Sequence, residues 1–317
     1  MIEVERIARA RAAIDPVFKD TPQFVSEPLS ELLGLRLLVK VESVNPIRSF
    51  KGRGADWFLQ TLESEGDLVC ASAGNFGQGL AYAARRRGRR LTVFAATTAN
   101  QLKIARMRAL GAEVRLEGKD FDAAKDAARR HAEGIGAVFV EDGAVDAIAE
   151  GAGTIAAELT DWPEPVDAVV VPVGNGALIN GIAAWLRARS PATRVIGVCP
   201  EGAPSMYLSW LEGRAVSTDS IATIADGIAV RVPIASSVTL MRDLVDEVFT
   251  ISEDGIVDAM RLCFQHLGLV VEPAGSAGIA GCLAKRTELA GLTVATPIAG
   301  GNLPPADAAR LLDPGQA

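Results

Sequence analysis

Ala168-Val169-Val170-Val171-Pro172-Val173-Gly174-Asn175-Gly176-Ala177-Leu178-Ile179-Asn180-Gly181 is the stretch that decides the fold. The apolar, valine-rich run predicts a buried strand over Ala168–Val173. Gly174 and Gly176 then break it, and an apolar pattern predicts a helix over Ala177–Arg189. A strand passing through a glycine turn into a helix is the repeating unit of a parallel α/β sheet. Its turn lies at the carboxyl end of the strand, where such sheets bind ligands. Glycine lets the backbone approach a phosphate, and the following helix N-terminus attracts its charge. A Rossmann dinucleotide site is the obvious competitor, with Glu201 in place of its ribose acid. Its GxGxxG spacing calls for glycine at Ile179, so the fingerprint is broken.

The same rhythm extends along the chain. Strands are predicted at Leu37–Val41, Asp67–Ala71, Leu91–Ala95, Glu113–Leu116, Ala137–Val140, Val195–Cys199, Glu247–Ile251 and Val294–Ile298. Helices are predicted between them, at Gly77–Arg87, Asn100–Leu110, Phe121–Glu133 and Ile148–Leu159. Strands alternating with helices of this length predict an α/β fold with mostly parallel sheets. The rhythm resets near Gly143 and again near Asp161-Trp162-Pro163, which predicts two lobes. Leu312–Ala317 read as a frayed tail.

Composition narrows the function. A net charge of −7 argues against a general nucleic-acid or anionic-membrane surface. The one basic run, Arg85 to Arg90, is read as a solvated helix C-terminus. Cys70, Cys199, Cys263 and Cys282 form no CxxC pair and read as buried thiols of a cytoplasmic protein. The N-terminal residues carry no apolar signal core, and no run approaches membrane-span length. His131 is expected to be exposed on a charged helix, and His266 to lie on an amphipathic one. HExxH and GxSxG are absent, which removes the main support for zinc peptidases and ordinary serine hydrolases.

Three further turns carry chemistry. Asn45-Pro46-Ile47-Arg48-Ser49-Phe50-Lys51-Gly52-Arg53-Gly54-Ala55 places Lys51 at a predicted helix start. The dipole there disfavours a cation and suits the neutral amine that Schiff-base chemistry needs. Ser72-Ala73-Gly74-Asn75-Phe76-Gly77-Gln78-Gly79 joins a strand to a helix and offers backbone N–H groups to a carboxylate. Ala299-Gly300-Gly301-Asn302 ends the last strand.

Taken in order, these motifs resemble the threonine dehydratase and serine racemase branch of fold-type II pyridoxal-phosphate enzymes. The resemblance also takes in Gly111-Ala112-Glu113-Val114, Gly153-Thr154-Ile155-Ala156, Thr223-Ile224-Ala225-Asp226-Gly227 and Glu272-Pro273-Ala274-Gly275. It implies a two-lobed architecture like that of the tryptophan synthase β chain. The large domain would take residues 1–66 and 145–317, the small one 67–144, with pyridoxal 5′-phosphate between them in a homodimer. Lys51 would hold the cofactor as a Schiff base and act as the base at Cα. Gly174, Asn175, Gly176, Ala177 and Leu178 would cradle the phosphate. Asn75 would bond the ring hydroxyl, and Glu272 would line the ring. Ser72, with the N–H groups of Ala73, Gly74, Asn75 and Phe76, would hold the carboxylate of a small amino-acid substrate.

Several positions depart from the family pattern. Ile47-Arg48 replaces Thr-Gly, and Phe76 replaces a histidine. Asn175 and Ala177 interrupt the four-glycine loop. Ala299 stands where relatives place a serine, threonine or cysteine against the pyridine nitrogen, which leaves Thr296 or water to serve it. Ala73 replaces the second serine of racemases. Glu201 opens their metal-binding stretch, but Tyr207 replaces its later carboxylate, so no metal site is expected. Arg48 is a candidate for pairing with a second acidic group on the substrate. The expected reaction is β-elimination from a hydroxy amino acid such as threonine or serine, giving a 2-oxo acid and ammonia. The alternatives are a β-replacement synthase, a racemase, a nicotinamide oxidoreductase, or a cofactor-binding protein without turnover.

Overall fold

The computed structural model describes residues 2–312, so the tail expected at 312–317 lies outside them from residue 313 onward. Ten strands follow in chain order: β1 (Gln23–Val25), β2 (Arg36–Val41), β3 (Leu68–Ala71), β4 (Leu91–Ala95), β5 (Glu113–Leu116), β6 (Val138–Val140), β7 (Ala168–Pro172), β8 (Arg194–Pro200), β9 (Glu247–Ile251) and β10 (Thr293–Ile298). They form two sheets. One has the order β1-β2-β10-β7-β8-β9, the other β5-β4-β3-β6. All pairings are parallel except that of β1 with β2. Every predicted strand is present within one or two residues of its expected bounds.

Parallel strands need crossover helices on their faces, and burial on both faces explains the apolar runs. Strand β7 is buried at every position. The helix Ala177–Arg189 packs on the helix Asp146–Leu159, where Gly181 sits against the Ala149 carbonyl; a Cβ there would come within 2.0 Å. The helix Pro273–Ala284 has no polar face and is buried on nearly all sides. Gly275, Gly278 and Gly281 admit it against Gly300, Thr296 and the valines of β7 and β8.

One sequence expectation changes. His131 is half-buried, its ring tilted against Phe94 at 5.4 Å. The Arg85–Arg90 run ends its helix largely exposed, as read, and adds ion pairs of Arg86 with Asp15, Arg87 with Asp56 and Arg90 with Asp67. All four cysteines are free and buried. Among the described residues no helix is long and apolar enough to cross a membrane.

Candidate active site

Lys51 opens the helix Lys51–Thr61, as expected. Its Nζ donates to Asp142 Oδ2 at 2.6 Å. The Phe50 ring centre lies 4.8 Å from that nitrogen and the Phe76 ring centre 5.8 Å. Lys51 and Asp142 are only 13% and 16% exposed. Two aromatic faces and one carboxylate therefore define the amine's surroundings. Phe76, which replaces a histidine, supplies one of those faces.

The segment bearing Lys51 is fixed from both sides. Phe50 N donates to the Ala299 carbonyl at 3.1 Å, and Gly301 N donates to the Arg48 carbonyl at 2.9 Å. The Asn45 side chain closes the turn, accepting from Ile47 N and Ser49 N. Below it lies Arg53, fully buried. Its guanidinium donates to both oxygens of Glu42 and both of Glu158, and to Thr154. Lys40 meets Glu158 at 2.5 Å. Burial opposes ionisation of Glu158, yet bonds from Arg53, with Lys40 beside it, hold its carboxyl at about 2. Burial also pulls Lys40 below its ordinary range, against the two glutamates.

The loop after β3 starts the helix Asn75–Arg86. Ser72 Oγ accepts from Gly77 N at 2.9 Å and Gly74 N at 3.2 Å, so its hydroxyl proton is left to donate. Asn75 is used at both ends of its amide. It donates to Glu272 Oε1 and accepts from Asn302 Nδ2, the latter at 2.7 Å. Glu272 is buried, which pushes its carboxyl upward against the pull of Lys103, 3.6 Å away. Burial also opposes the Lys103 ammonium, but Glu272 and Asp226 outweigh it and raise the lysine.

After β7 the loop turns into the helix Ala177–Arg189 through Gly176, at φ +91°. No side chain caps that helix, so its first N–H groups are left for a ligand. A Cβ on Gly176 would come within 2.0 Å of Ser237 Oγ. Ser237 in turn donates to the Asn175 carbonyl at 2.6 Å, fixing the loop from behind. Gly143, next to Asp142, touches this loop; a Cβ there would lie 2.4 Å from the Asn175 carbonyl oxygen.

Ala299 is buried and brings no polar side-chain atom. Thr296 does not compensate: its hydroxyl donates to the Val170 carbonyl at 2.8 Å, within the sheet. Arg48 is exposed and holds φ +52°, a left-handed conformation where relatives place glycine. It lines a cavity of about 250 Å³ with Gln78, Arg106 and Asn302. Lys51 is not among that cavity's walls, so Arg48 borders a neighbouring space and not the lysine's own. Burial and then the Arg48 charge lower Arg106 below its ordinary range. Glu201 is exposed, and among the described residues no three His, Cys, Asp or Glu side chains are grouped to hold a metal.

An uncapped helix start after a glycine turn, a shielded lysine, and an Asn75 amide held at the buried Glu272 carboxylate fit pyridoxal phosphate. Residues 14–300 match the family described as Pyridoxal-phosphate dependent enzyme. The chain belongs to the pyridoxal-phosphate-dependent enzyme family. Within it, the chain is 39% identical to an L-threonine ammonia-lyase of Thermotoga maritima, over 96% of this chain and 76% of that one. Two solved structures superpose closely. The processed form of threonine deaminase isoform 2 from Solanum lycopersicum matches with a TM-score of 0.89 at 30% identity, covering 97% of this chain and 92% of that one. Maize serine racemase matches with a TM-score of 0.90 at 27% identity, covering 96% and 95%.

Residue by residue, contacts link Lys51 through Phe50 to Ala299 and through Asp142-Gly143 to the Asn175 carbonyl, and Asn75 to Glu272, while Ser72 is buried on the N–H groups of Gly74 and Gly77. Sequence reasoning missed Asp142, Ser237 and the glutamates around Arg53. Asp142 had a readable signal: Glu141-Asp142-Gly143 follows β6 directly, and an acid at the carboxyl end of a parallel strand belongs to the ligand face. The partners of Arg53 had none, because Glu42 and Glu158 are distant in sequence.

Proposed function

We propose that the chain eliminates the β-hydroxyl of an amino acid such as threonine or serine, releasing a 2-oxo acid and ammonia. The observation that carries the reading is Lys51 Nζ, shielded by Phe50 and Phe76 beside a bare phosphate cradle. When bound, pyridoxal phosphate supplies the electron sink for the Cα carbanion. Gly174 to Leu178 would hold its phosphate through backbone N–H groups and the helix dipole. Asn75, steered by Asn302, would serve the ring hydroxyl. Ser72 and the N–H groups of Ala73 to Phe76 orient the substrate carboxylate. Lys51 takes the Cα proton on its amine.

Two residues favour elimination over racemisation. Ala73 offers no acid or base on the face opposite Lys51. Ala299 gives the ring nitrogen no side-chain partner, so a long-lived carbanion is costly, whereas a departing hydroxyl carries the electrons away. The domain boundaries run at residues 66/67 and 144/145, supported by a small sheet confined to residues 68–140. A reducing cytoplasm suits the four buried thiols, and a homodimer is proposed on the family resemblance alone.

The test is a panel of β-hydroxy amino acids, both enantiomers, assayed for 2-oxo acid and ammonia with no added thiol or amine. Release from at least one is expected, with recovered substrate of unchanged configuration. A requirement for an added nucleophile would mean β-replacement. Racemised substrate without 2-oxo acid would mean a racemase.

A further inference from the structure

Asp142 lies at the one place where a second acid–base group would matter. Strand β6 pairs with β3 in parallel register, Cys70 opposite Val140. Both chains leave the sheet at the same edge just beyond that pair, β3 into the loop bearing Ser72 and β6 into the turn bearing Asp142. One Asp142 oxygen accepts from Lys51 Nζ; the other, Oδ1, is buried without a hydrogen-bond partner. The side chain is held there. Gly143 takes φ +88° and packs on the Asn175 carbonyl, so the Asp142 backbone cannot retreat without moving the phosphate loop.

A buried carboxylate oxygen left unpaired costs roughly 1–3 kcal/mol, more for a charged group. Persistence of such an atom beside the reactive lysine asks for a donor that arrives with the substrate. A substrate whose carboxylate rests on Ser72 and whose Cα faces Lys51 Nζ carries its β-hydroxyl one bond further on. That hydroxyl is the donor within reach of Asp142 Oδ1.

We infer that Asp142 is a second catalytic residue, which passes the proton taken by Lys51 to the leaving β-hydroxyl. The step balances. Lys51 Nζ accepts the Cα proton, and the Cα–H electron pair becomes the new Cα–Cβ π bond. Asp142, a carboxylate, takes that proton from Nζ on Oδ2 and, as its carboxyl group turns, delivers the same proton to the hydroxyl oxygen. The Cβ–O bond breaks with its electron pair on oxygen, and water leaves. Lysine and aspartate return to their starting protonation.

This inference rests on the elimination reading, and the experiment separates the two. Asp142→Asn keeps the shape and removes the carried proton. Cofactor-loaded wild type and variant are compared on L-threonine or L-serine and on β-chloroalanine, whose chloride leaves unprotonated. The variant is expected to lose at least 100-fold on the hydroxy amino acid and less than tenfold on β-chloroalanine. In deuterium oxide its recovered hydroxy substrate should gain deuterium at Cα, read by NMR, because proton removal outlives the stalled departure. The variant's cofactor absorbance and melting temperature should match wild type. Equal losses on both substrates, or no Cα deuterium, would overturn the inference and leave Asp142 a positioning residue for Lys51. Wild type that releases a 2-oxo acid from none of threonine, serine and β-chloroalanine would overturn the elimination reading itself.

Discussion

Two polar clusters lie within a few residues of each other in sequence and differ in kind. Around Arg53, every guanidinium nitrogen is engaged and both glutamates accept at both oxygens. None of the buried unpartnered atoms belongs to Arg53, Glu42, Glu158 or Lys40. Around Lys51 the network is incomplete: Asp142 Oδ1 is buried with no hydrogen-bond partner, and Glu272 Oε2 has only the Lys103 ammonium at 3.6 Å. A saturated buried ionic network fixes geometry, whereas a partly satisfied one is unfavourable unless a ligand completes it. The first cluster is therefore the floor that holds the helix bearing Lys51, and the second is the working surface.

This contrast can be broken most forcefully at Arg53. Arg53→Ala strands two buried carboxylates and should cost about 3–5 kcal/mol of stability, read by urea unfolding. Lys51→Ala, made in the open cluster, strands the single carboxylate of Asp142 and should cost roughly 1–3 kcal/mol in the same measurement, less than Arg53→Ala. Comparable losses would erase the distinction between floor and surface.

Acid sharpens the same point. Glu158 titrates at about 2 in the folded chain, below its ordinary 4.5. A lowered carboxylate stabilises the fold above its unfolded pKa, and that contribution disappears as pH falls through the folded value. At 1.36 kcal/mol per unit it amounts to about 3 kcal/mol. Unfolding free energy of wild type should fall between pH 4.5 and 2, and that of Glu158→Gln should fall by about 2–3 kcal/mol less. Parallel pH curves for the two proteins would show that Glu158 is not held down by Arg53.

The smallest effect belongs to Arg48. A left-handed residue other than glycine costs about 1 kcal/mol, so Arg48→Gly should stabilise the chain by that amount in the same urea assay. From its neighbouring cavity the Arg48 charge acts on the site only at a distance, so Arg48→Gly should lower kcat/KM for an acidic β-hydroxy amino acid relative to a neutral one only slightly, and less at high salt. An unchanged ratio would show that Arg48 plays no part in substrate choice.

Much of this molecule is legible in its sequence. The parallel strands announce themselves because burial on both faces writes uninterrupted apolar runs, as in β7. The short strand β1 does not, since three residues on an antiparallel edge carry no periodicity. The helix Pro273–Ala284 also hides, because a helix buried all round has no polar face to alternate with. Lys51, Asn75 and the 174–178 loop are visible as turns after strands. The pairing of Lys51 with Asp142 is not, since 91 residues separate them and only the fold joins them. Ala299 is visible as an oddity, but only the structure shows that Thr296 is committed to Val170.

The central claim is that Lys51, and no other amine, carries the cofactor. Lys51→Ala should be loaded with pyridoxal phosphate, reduced with borohydride, digested and mapped by mass spectrometry beside wild type. Wild type is expected to show near-visible absorbance and a fixed adduct on Lys51. The variant is expected to show no fixed adduct and no turnover. A borohydride-fixed adduct on Lys40, Lys103 or any other lysine of the variant, with turnover retained, would contradict the account.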